Sequence, residues 1–252
     1  MKRFLLSLAA VLVLSSCTFI KINGTPLSGK NVENVSADVL TKSFEVADFG
    51  KLILNVPANV EFEATDTPYM EVSAPSNVVE QLVLTQENGS LKLEFRNKIV
   101  FRGLKNFKVR LGSSRLSELV ANGAADFNCA KGFSTGDFSV RISGAGDIDI
   151  KKLQAENVLI QINGAGDLNM EDTDCASMNV TVSGAGDIDL HGLDCEGTVK
   201  VVVNGAGDAV LTGKAGDADL TINGAGEINI KGLDAPVSNS SVNGIGSISK
   251  RK

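Results

Sequence analysis

The chain is 252 residues long, with 24 Lys and Arg against 30 Asp and Glu for a formal net charge of −6, one His, one Tyr and no Trp. That length suits one large or two small domains. A single histidine leaves no multi-histidine metal centre, and the lack of Trp, with only one Tyr, removes the aromatic platforms that stack on sugar rings.

The first residues carry an address. Met1-Lys2-Arg3 is a short basic start, and the apolar run from Phe4 to Leu14 has the length of a signal-peptide core, too short to span a bilayer as a helix. Leu14-Ser15-Ser16-Cys17 resembles the lipobox of bacterial lipoproteins, in which the cysteine is acylated and becomes the mature N-terminus. The bland alternative is an ordinary cleaved signal that ends near a chance cysteine. Residues 1–17 are therefore expected to be a lipoprotein signal ending at a lipidated Cys17, whose acyl chains hold the chain on a membrane surface. Residues 18–40 form a polar tether with Gly and Pro and no sustained periodicity. Thr18-Phe19-Ile20 lacks the Asp that resembles an inner-membrane retention signal, which favours the outer membrane.

From Phe44 the pattern alternates with period two, the mark of strands. Segments at 52–56, 60–64, 70–72, 82–85, 91–95, 107–111 and 116–119 are candidates, and Asn88-Gly89 suits the positive φ of a tight hairpin turn. This strand-rich half, residues 41–115, holds more of the bulky phenylalanines and is expected to cap the open end of a repeat stack downstream. Its last stretch, Arg96 to Arg115, contains seven basic residues and no acid. The plain reading is a solvated basic face. Anionic lipid, glycan or the acidic repeats of a second copy are the partners that such a patch would meet in an exported protein, not nucleic acid.

Residues 116–252 contain 19 acids against 10 bases and are dominated by an octapeptide written seven times. It begins as Asn122-Gly-Ala-Ala-Asp-Phe-Asn-Cys129, Ser143-Gly-Ala-Gly-Asp-Ile-Asp-Ile150 and Asn163-Gly-Ala-Gly-Asp-Leu-Asn-Met170, recurs at Ser183, Asn204 and Asn223, and closes as Asn243-Gly-Ile-Gly-Ser-Ile-Ser-Lys250. Units this short cannot bury a core alone and must stack on their neighbours. About twenty residues per unit, alternating apolar positions and Gly-marked corners predict an all-β parallel β-helix, a β-solenoid. Its handedness is expected to be right-handed on the general preference of parallel crossovers. With coils about 4.8 Å apart, seven would make a rod roughly 34 Å long.

Equal repeat positions then form ladders. Asn122, Ser143, Asn163, Ser183, Asn204, Asn223 and Asn243 can hydrogen-bond along the stack. Asp126, Asp147, Asp167, Asp187, Asp208 and Glu227 form an acidic ladder, a candidate binding row. Neighbouring charges there repel by roughly 0.9 kcal/mol in water and about 3.5 at an effective dielectric of 20. Backbone N–H groups, raised pKa values or bound cations could answer this repulsion. Calcium is the cation to consider, since the calcium-binding nonapeptide of secreted toxins looks similar, although its period and Gly-to-Asp spacing differ. A third ladder of small residues, Ser134, Ala155, Cys175, Cys195, Gly216 and Ala235, places Cys175 beside Cys195, within disulfide range. Two buried free thiols are the equal alternative, and Cys129 reads as core.

Catalysis is poorly served. His191 is expected at a solvated corner, no Cys sits beside a base, and the carboxylates recur in every coil where an active site would break the repeat. The Gly-x-Gly turn opens a strand, not the helix that a phosphate cradle needs.

The Ser/Asn-Gly-Ala-Gly-Asp-Ile string behind a lipobox, with Ile162-Asn-Gly164, Ile222-Asn-Gly224 and Gly244-Ile-Gly-Ser-Ile248, resembles the family of putative auto-transporter adhesins with a head GIN domain, over residues 44 to 249. The resemblance implies a β-helical lipoprotein of the bacterial envelope with an adhesive role, and brings no active site. The expectation is a non-enzymatic outer-membrane lipoprotein that presents a rigid surface to a glycan or protein ligand and can form a homo-oligomer. The alternatives are a periplasmic scaffold and, less well supported, a glycan-acting β-helix enzyme.

Overall fold

The computed structural model describes residues 32–96 and 99–250. The leader, Cys17 and the first part of the tether lie outside the described residues. The described chain is a β-solenoid with three faces, built almost wholly from strands.

On the first face, Ser90–Phe95, Lys51–Asn55, Glu118–Ala121 and Phe138–Ile142 stack in parallel register, continued by the later parts of Leu153–Ile162, Thr173–Val182, Ile188–Val203 and Ala209–Ile222 and closed by Val237–Val242. Period-two alternation turns one column inward: Leu91, Leu52, Leu119, Val140, Ile160, Val180, Val201 and Leu220 are each buried. On the second face Lys108–Ser113, Asn59–Ala64, Asp126–Cys129, Ile148–Ile150 and Leu168–Glu171 do the same, with Val109, Val60, Phe127, Ile148 and Leu168 inward. The third face is narrower and begins at Phe133–Ser134. Each such aliphatic side chain contributes roughly 1.5–3 kcal/mol on burial, so the inward columns supply the driving force for stacking.

The first half does more than cap. Lys51–Asn55 lies between Ser90–Phe95 and Glu118–Ala121, and Asn59–Ala64 lies between Lys108–Ser113 and Asp126–Cys129. The coil made by residues 51–64 is thus the second in the stack, while the coil made by residues 90–113, later in the chain, is the first. The chain lays one coil, turns back to build the end, and then steps over its own earlier coil to continue. At that step Asp48 accepts hydrogen bonds from Ser113 Oγ (2.6 Å), Ser114 N (2.7 Å) and Ser114 Oγ (2.7 Å), and Ser117 N donates to Gly50 O at 2.7 Å.

The end itself is closed by antiparallel strands. Leu82–Glu87 pairs with Ser90–Phe95 through the expected turn, where Asn88 and Gly89 both have positive φ. Tyr69–Pro75 pairs with Lys108–Ser113, and Val39–Phe44 with Tyr69–Pro75. A short helix, Ser76–Gln81, which the alternating pattern does not predict, buries Val78 and Val79. Phenylalanines fill the wide first coils: Phe62 stacks on Phe127 at 5.9 Å and meets Phe133 edge-on at 5.9 Å. After Phe138 no Phe, Tyr or Trp occurs, and the core narrows to Ile, Val, Leu, Met, Cys and Ala.

Candidate functional site: the acidic face and its ladders

The second face carries its outward side chains in two parallel columns. Strand register places Asp126, Asp147, Asp167, Asp187, Asp208 and Glu227 in one column, as their spacing predicts. The aspartates are used in the same way in each coil. The Oδ1 of Asp126, Asp147, Asp167, Asp187 and Asp208 accepts the backbone N–H of the next ladder residue, at 3.3, 3.3, 2.9, 2.8 and 2.7 Å. Backbone capping therefore answers the repulsion along this row. All five side chains are exposed, and among the described residues no hydrogen bond is made to their Oδ2 atoms.

Register also extends the column beyond the repeats. Asn59 stacks on Asp126 and Lys108 on Asn59, so the acidic row has a basic head. The adjacent column runs Arg110, Glu61, Asn128, Asp149, Asn169, Asp189. Between the two columns lies an open groove of about 690 Å³, floored by Val60, Phe127, Ile148 and Leu168. Arg110 sits 3.7 Å from Glu61 and 3.6 Å from Glu71, and Lys151 bonds Glu171 while lying 3.8 Å from Asp149. Among the described residues, Asp147, Asp167, Asp187, Asp189 and Asp208 have no ion-pair partner. The face is a rigid acidic strip, neutralised at its first coils and bare in the middle.

Among the described residues, no group of three or more His, Cys, Asp or Glu side chains is arranged to hold a metal ion. The ladder carboxylates stand one per coil, in a row whose single-file spacing gives no converging oxygen cage.

At the head of the groove a smaller recess of about 250 Å³ gathers Glu61, Glu63, Tyr69, Arg110 and Lys131. It departs from the repeat, as a reactive site would, but its charges are spent on one another. Lys131 Nζ donates to Glu63 at 2.6 Å, and Tyr69 donates to the same carboxylate at 3.4 Å. The Lys131 hydrogen bond, more than its charge, holds the Glu63 carboxyl below the usual range, and burial pushes the Tyr69 phenol up.

The amide ladder bonds where Asn follows Asn. Asn223 donates to Asn204 at 2.8 Å, Asn243 to Asn223 at 3.0 Å, and Asn122 to Asn55 at 2.9 Å. Asn55 is a member that the repeat does not reveal, because its strand has no Gly-x-Gly-Asp marker. From the second repeat onward the glycine after the ladder residue is required by close approach: a Cβ on Gly164, Gly184, Gly205 or Gly224 would collide with the carbonyl oxygen of the preceding coil's glycine.

The ladder of small residues needs amending. Ala155, Cys175 and Cys195 are in register as expected, but Ser134 stacks on Gln154, and Cys195 is followed by Ala215 in place of Gly216. Units of unequal length take up their extra residue at the corners, so counting from each repeat start slips by one. Cys175 and Cys195 are 1% and 3% exposed, and both are free thiols, as is the buried Cys129. The two thiols lie in register and within hydrogen-bonding reach of each other, and both are free in this structure. The hydrogen bond to the Cys195 sulfur, reinforced by burial, pushes the Cys175 thiol well above its ordinary range, and burial raises Cys129. His191 is exposed at its corner, with Nδ1 3.3 Å from the Thr212 hydroxyl.

Comparison with known proteins agrees with this architecture. The family model described as "Putative auto-transporter adhesin, head GIN domain" matches residues 48–199 and 196–251. A solved structure of a putative adhesin from Bacteroides fragilis NCTC 9343 is similar at TM-score 0.78 and 21% identity, covering 86% of this chain and 99% of its own. That of a putative lipid binding protein from Parabacteroides distasonis ATCC 8503 gives 0.74 and 21%, covering 88% and 100%. A third, a putative adhesin from Parabacteroides merdae ATCC 43184, gives 0.70 and 17%, covering 88% and 100%. At these identities the likeness speaks for the fold alone. No curated protein matches the chain.

Proposed function

The chain belongs to the putative auto-transporter adhesin, head GIN domain family, and from that premise we propose that it is a non-enzymatic binding protein of the bacterial envelope. In this reading Cys17 carries the acyl chains and the residues from 18 to about 31 lead away from the outer membrane, since the rest of the expected tether is docked on the body, with Val32–Asn34 paired to Val100–Arg102 and Val39–Phe44 to Tyr69–Pro75. The solenoid then presents its acidic face to a glycan or protein surface rich in cations or hydrogen-bond donors. The observation that carries the reading is the strip from Asp147 to Asp208: the same carboxylate in every coil, backbone-capped on one oxygen, free on the other and unpaired by any cation among the described residues. A repeated row held rigid by strand register is suited to multivalent contact, since successive groups engage without further ordering cost. Lys108 and Arg110, at the head of the same columns, provide a contact of opposite sign. Catalysis has little support: the recess of Glu63, Tyr69 and Lys131, which departs from the repeat, has its charges internally paired.

The test is antibody labelling of intact cells, repeated after controlled lysis, alongside a Cys17→Ala variant. Labelling on intact cells, with release of Cys17→Ala from the membrane fraction, is expected. Labelling only after lysis would overturn the adhesive reading and leave a periplasmic scaffold.

A further inference from the structure

On the third face, register stacks Ala155, Cys175, Cys195 and Ala215 one above another. Two thiols therefore fall in adjacent coils, with an alanine on either side. Parallel neighbours in register lie about 4.8 Å apart, inside the span of roughly 4.4–6.8 Å over which a disulfide joins two Cα atoms. The sulfurs already meet: Cys175 and Cys195 share a hydrogen bond, and the Cys195 thiol reaches on to the Ala176 carbonyl at 3.7 Å.

The backbone around the pair is also unlike that of an ordinary core position. Strand register shifts directly after each cysteine, between Cys175 and Met178 against the next coil and between Cys195 and Thr198 against the one after. A continuous ladder would hold the two Cβ atoms at strand spacing, wider than the roughly 3.8 Å that a disulfide takes. An interrupted ladder lets the corner close that difference. The other buried thiol, Cys129, stands in a different column with Ile150 as its neighbour in the next coil.

We propose that Cys175 and Cys195 are a modification site: thiol–disulfide exchange with a protein or small-molecule disulfide converts them into a disulfide that joins two adjacent coils. One thiolate of the pair attacks a sulfur of the external disulfide and expels a thiol; the second then attacks the mixed disulfide and expels the other. Two electrons pass to the external disulfide, and the two protons leave on the thiols released. Because both sulfurs are covered in the finished coil, the exchange accompanies folding. Supply of the oxidant rests on the envelope reading above, whereas the chemistry of the pair does not. The bond links the coil of Asp167 to the coil of Asp187, in the middle of the unpaired acidic strip. Coils of a solenoid are otherwise held only by contact with their neighbours. Closing a one-coil loop restricts the unfolded chain, so the oxidised protein is the more stable form.

The test uses full-length chain carrying Cys17→Ala, which leaves three thiols. It is unfolded in urea and refolded with oxidised glutathione or with dithiothreitol, alkylated with N-ethylmaleimide in urea, and weighed by mass spectrometry. Glutathione should remove two of the three maleimide adducts, peptide mapping should place the bond between Cys175 and Cys195, and the urea midpoint should rise. Cys195→Ala installs the residue that the same column carries at Ala155 and Ala215; it should form no internal disulfide and show one midpoint in both buffers. The mapping needs no variant at the pair, so it decides the matter even if Cys195→Ala misfolds. Three adducts after either refolding, a bond to Cys129, or a Cys175–Cys195 bond that lowers the midpoint would each overturn the proposal. A bond that forms in glutathione but is absent from chain alkylated inside cells upholds the site and counts against the envelope reading instead.

Discussion

The coil made by residues 51–64 and the coils from 143 to 234 hold the same parallel register but are specified differently. In the later coils the specification is local: each repeats Gly-x-Gly-Asp/Glu, so any unit fits on any other, and the glycines let the backbones close. The earlier coil has no such marker. Its place between Ser90–Phe95 and Glu118–Ala121 is fixed by long-range features, namely bulky Phe packing around Phe62 and the Asp48 cluster that ties the chain where it steps over itself. Uniform coils can be extended by copying; an out-of-order coil needs a dedicated lock. The contrast also separates roles, since the repeats carry the uniform acidic face and the first half terminates the stack.

The largest effect expected from breaking either region is in the repeats. Gly184→Ala sets a Cβ against Gly164 O and should cost more than about 4 kcal/mol or prevent folding, while Gly136→Ala, which meets open space, should stay within about 0.5 kcal/mol. Urea titration distinguishes the two. In the first coils, Phe62→Ala removes a ring packed on Phe49, Phe127 and Phe133 and should cost about 3–5 kcal/mol by the same titration. A cost below about 1 kcal/mol would show that the aromatic cluster does not hold the out-of-order coil.

Asp48→Ala should cost about 1–3 kcal/mol, because it strips three hydrogen bonds and leaves the buried Ser113 hydroxyl with one fewer partner. Hydrogen bonds from Ser113, then from the Ser114 backbone and hydroxyl, lower its pKa to about 2. A carboxyl whose folded pKa lies below its unfolded value stabilises the fold above the unfolded value, near pH 4, and this contribution fades as pH falls toward 2. Stability of the native chain should therefore drop across that window more steeply than that of Asp48→Ala.

The repeats, their period, the parallel stacking, the Asn88-Gly89 hairpin and the acidic ladder are all legible in the sequence, since each rests on residues repeated at fixed spacing or on a dipeptide with its own backbone preference. The stacking order is not, because nothing local in 51–64 says which coil will lie on either side. For the same reason Asn55, Asn59, Lys108 and Arg110 are invisible as heads of the columns until register is known. Helix Ser76–Gln81 escapes because six residues are too few to show a 3.6-residue period. Ser134 and Gly216 mislead because the repeat lengths vary, and the corners absorb the difference.

The smallest expected effect is on the ladder. Asp187→Asn keeps an oxygen to accept the Asp208 N–H at 2.8 Å and removes one charge from a like-charged row, so stability should change by no more than about 0.5 kcal/mol. Thermal midpoints of the native chain should be equal in calcium and in chelator. A drop on chelation that Asp187→Asn abolishes would replace backbone capping with a cation.

Hydrogen–deuterium exchange, read strand by strand, tests most directly whether the first half is part of the stack. With coil 51–64 inserted between two others, amides of Lys51–Asn55 and Asn59–Ala64 should exchange as slowly as those of Val158–Ile162, and those of the outer Val39–Phe44 much faster. Exchange of 51–64 at the rate of Val39–Phe44, with only the repeats protected, would contradict the account and make the first half a separate cap.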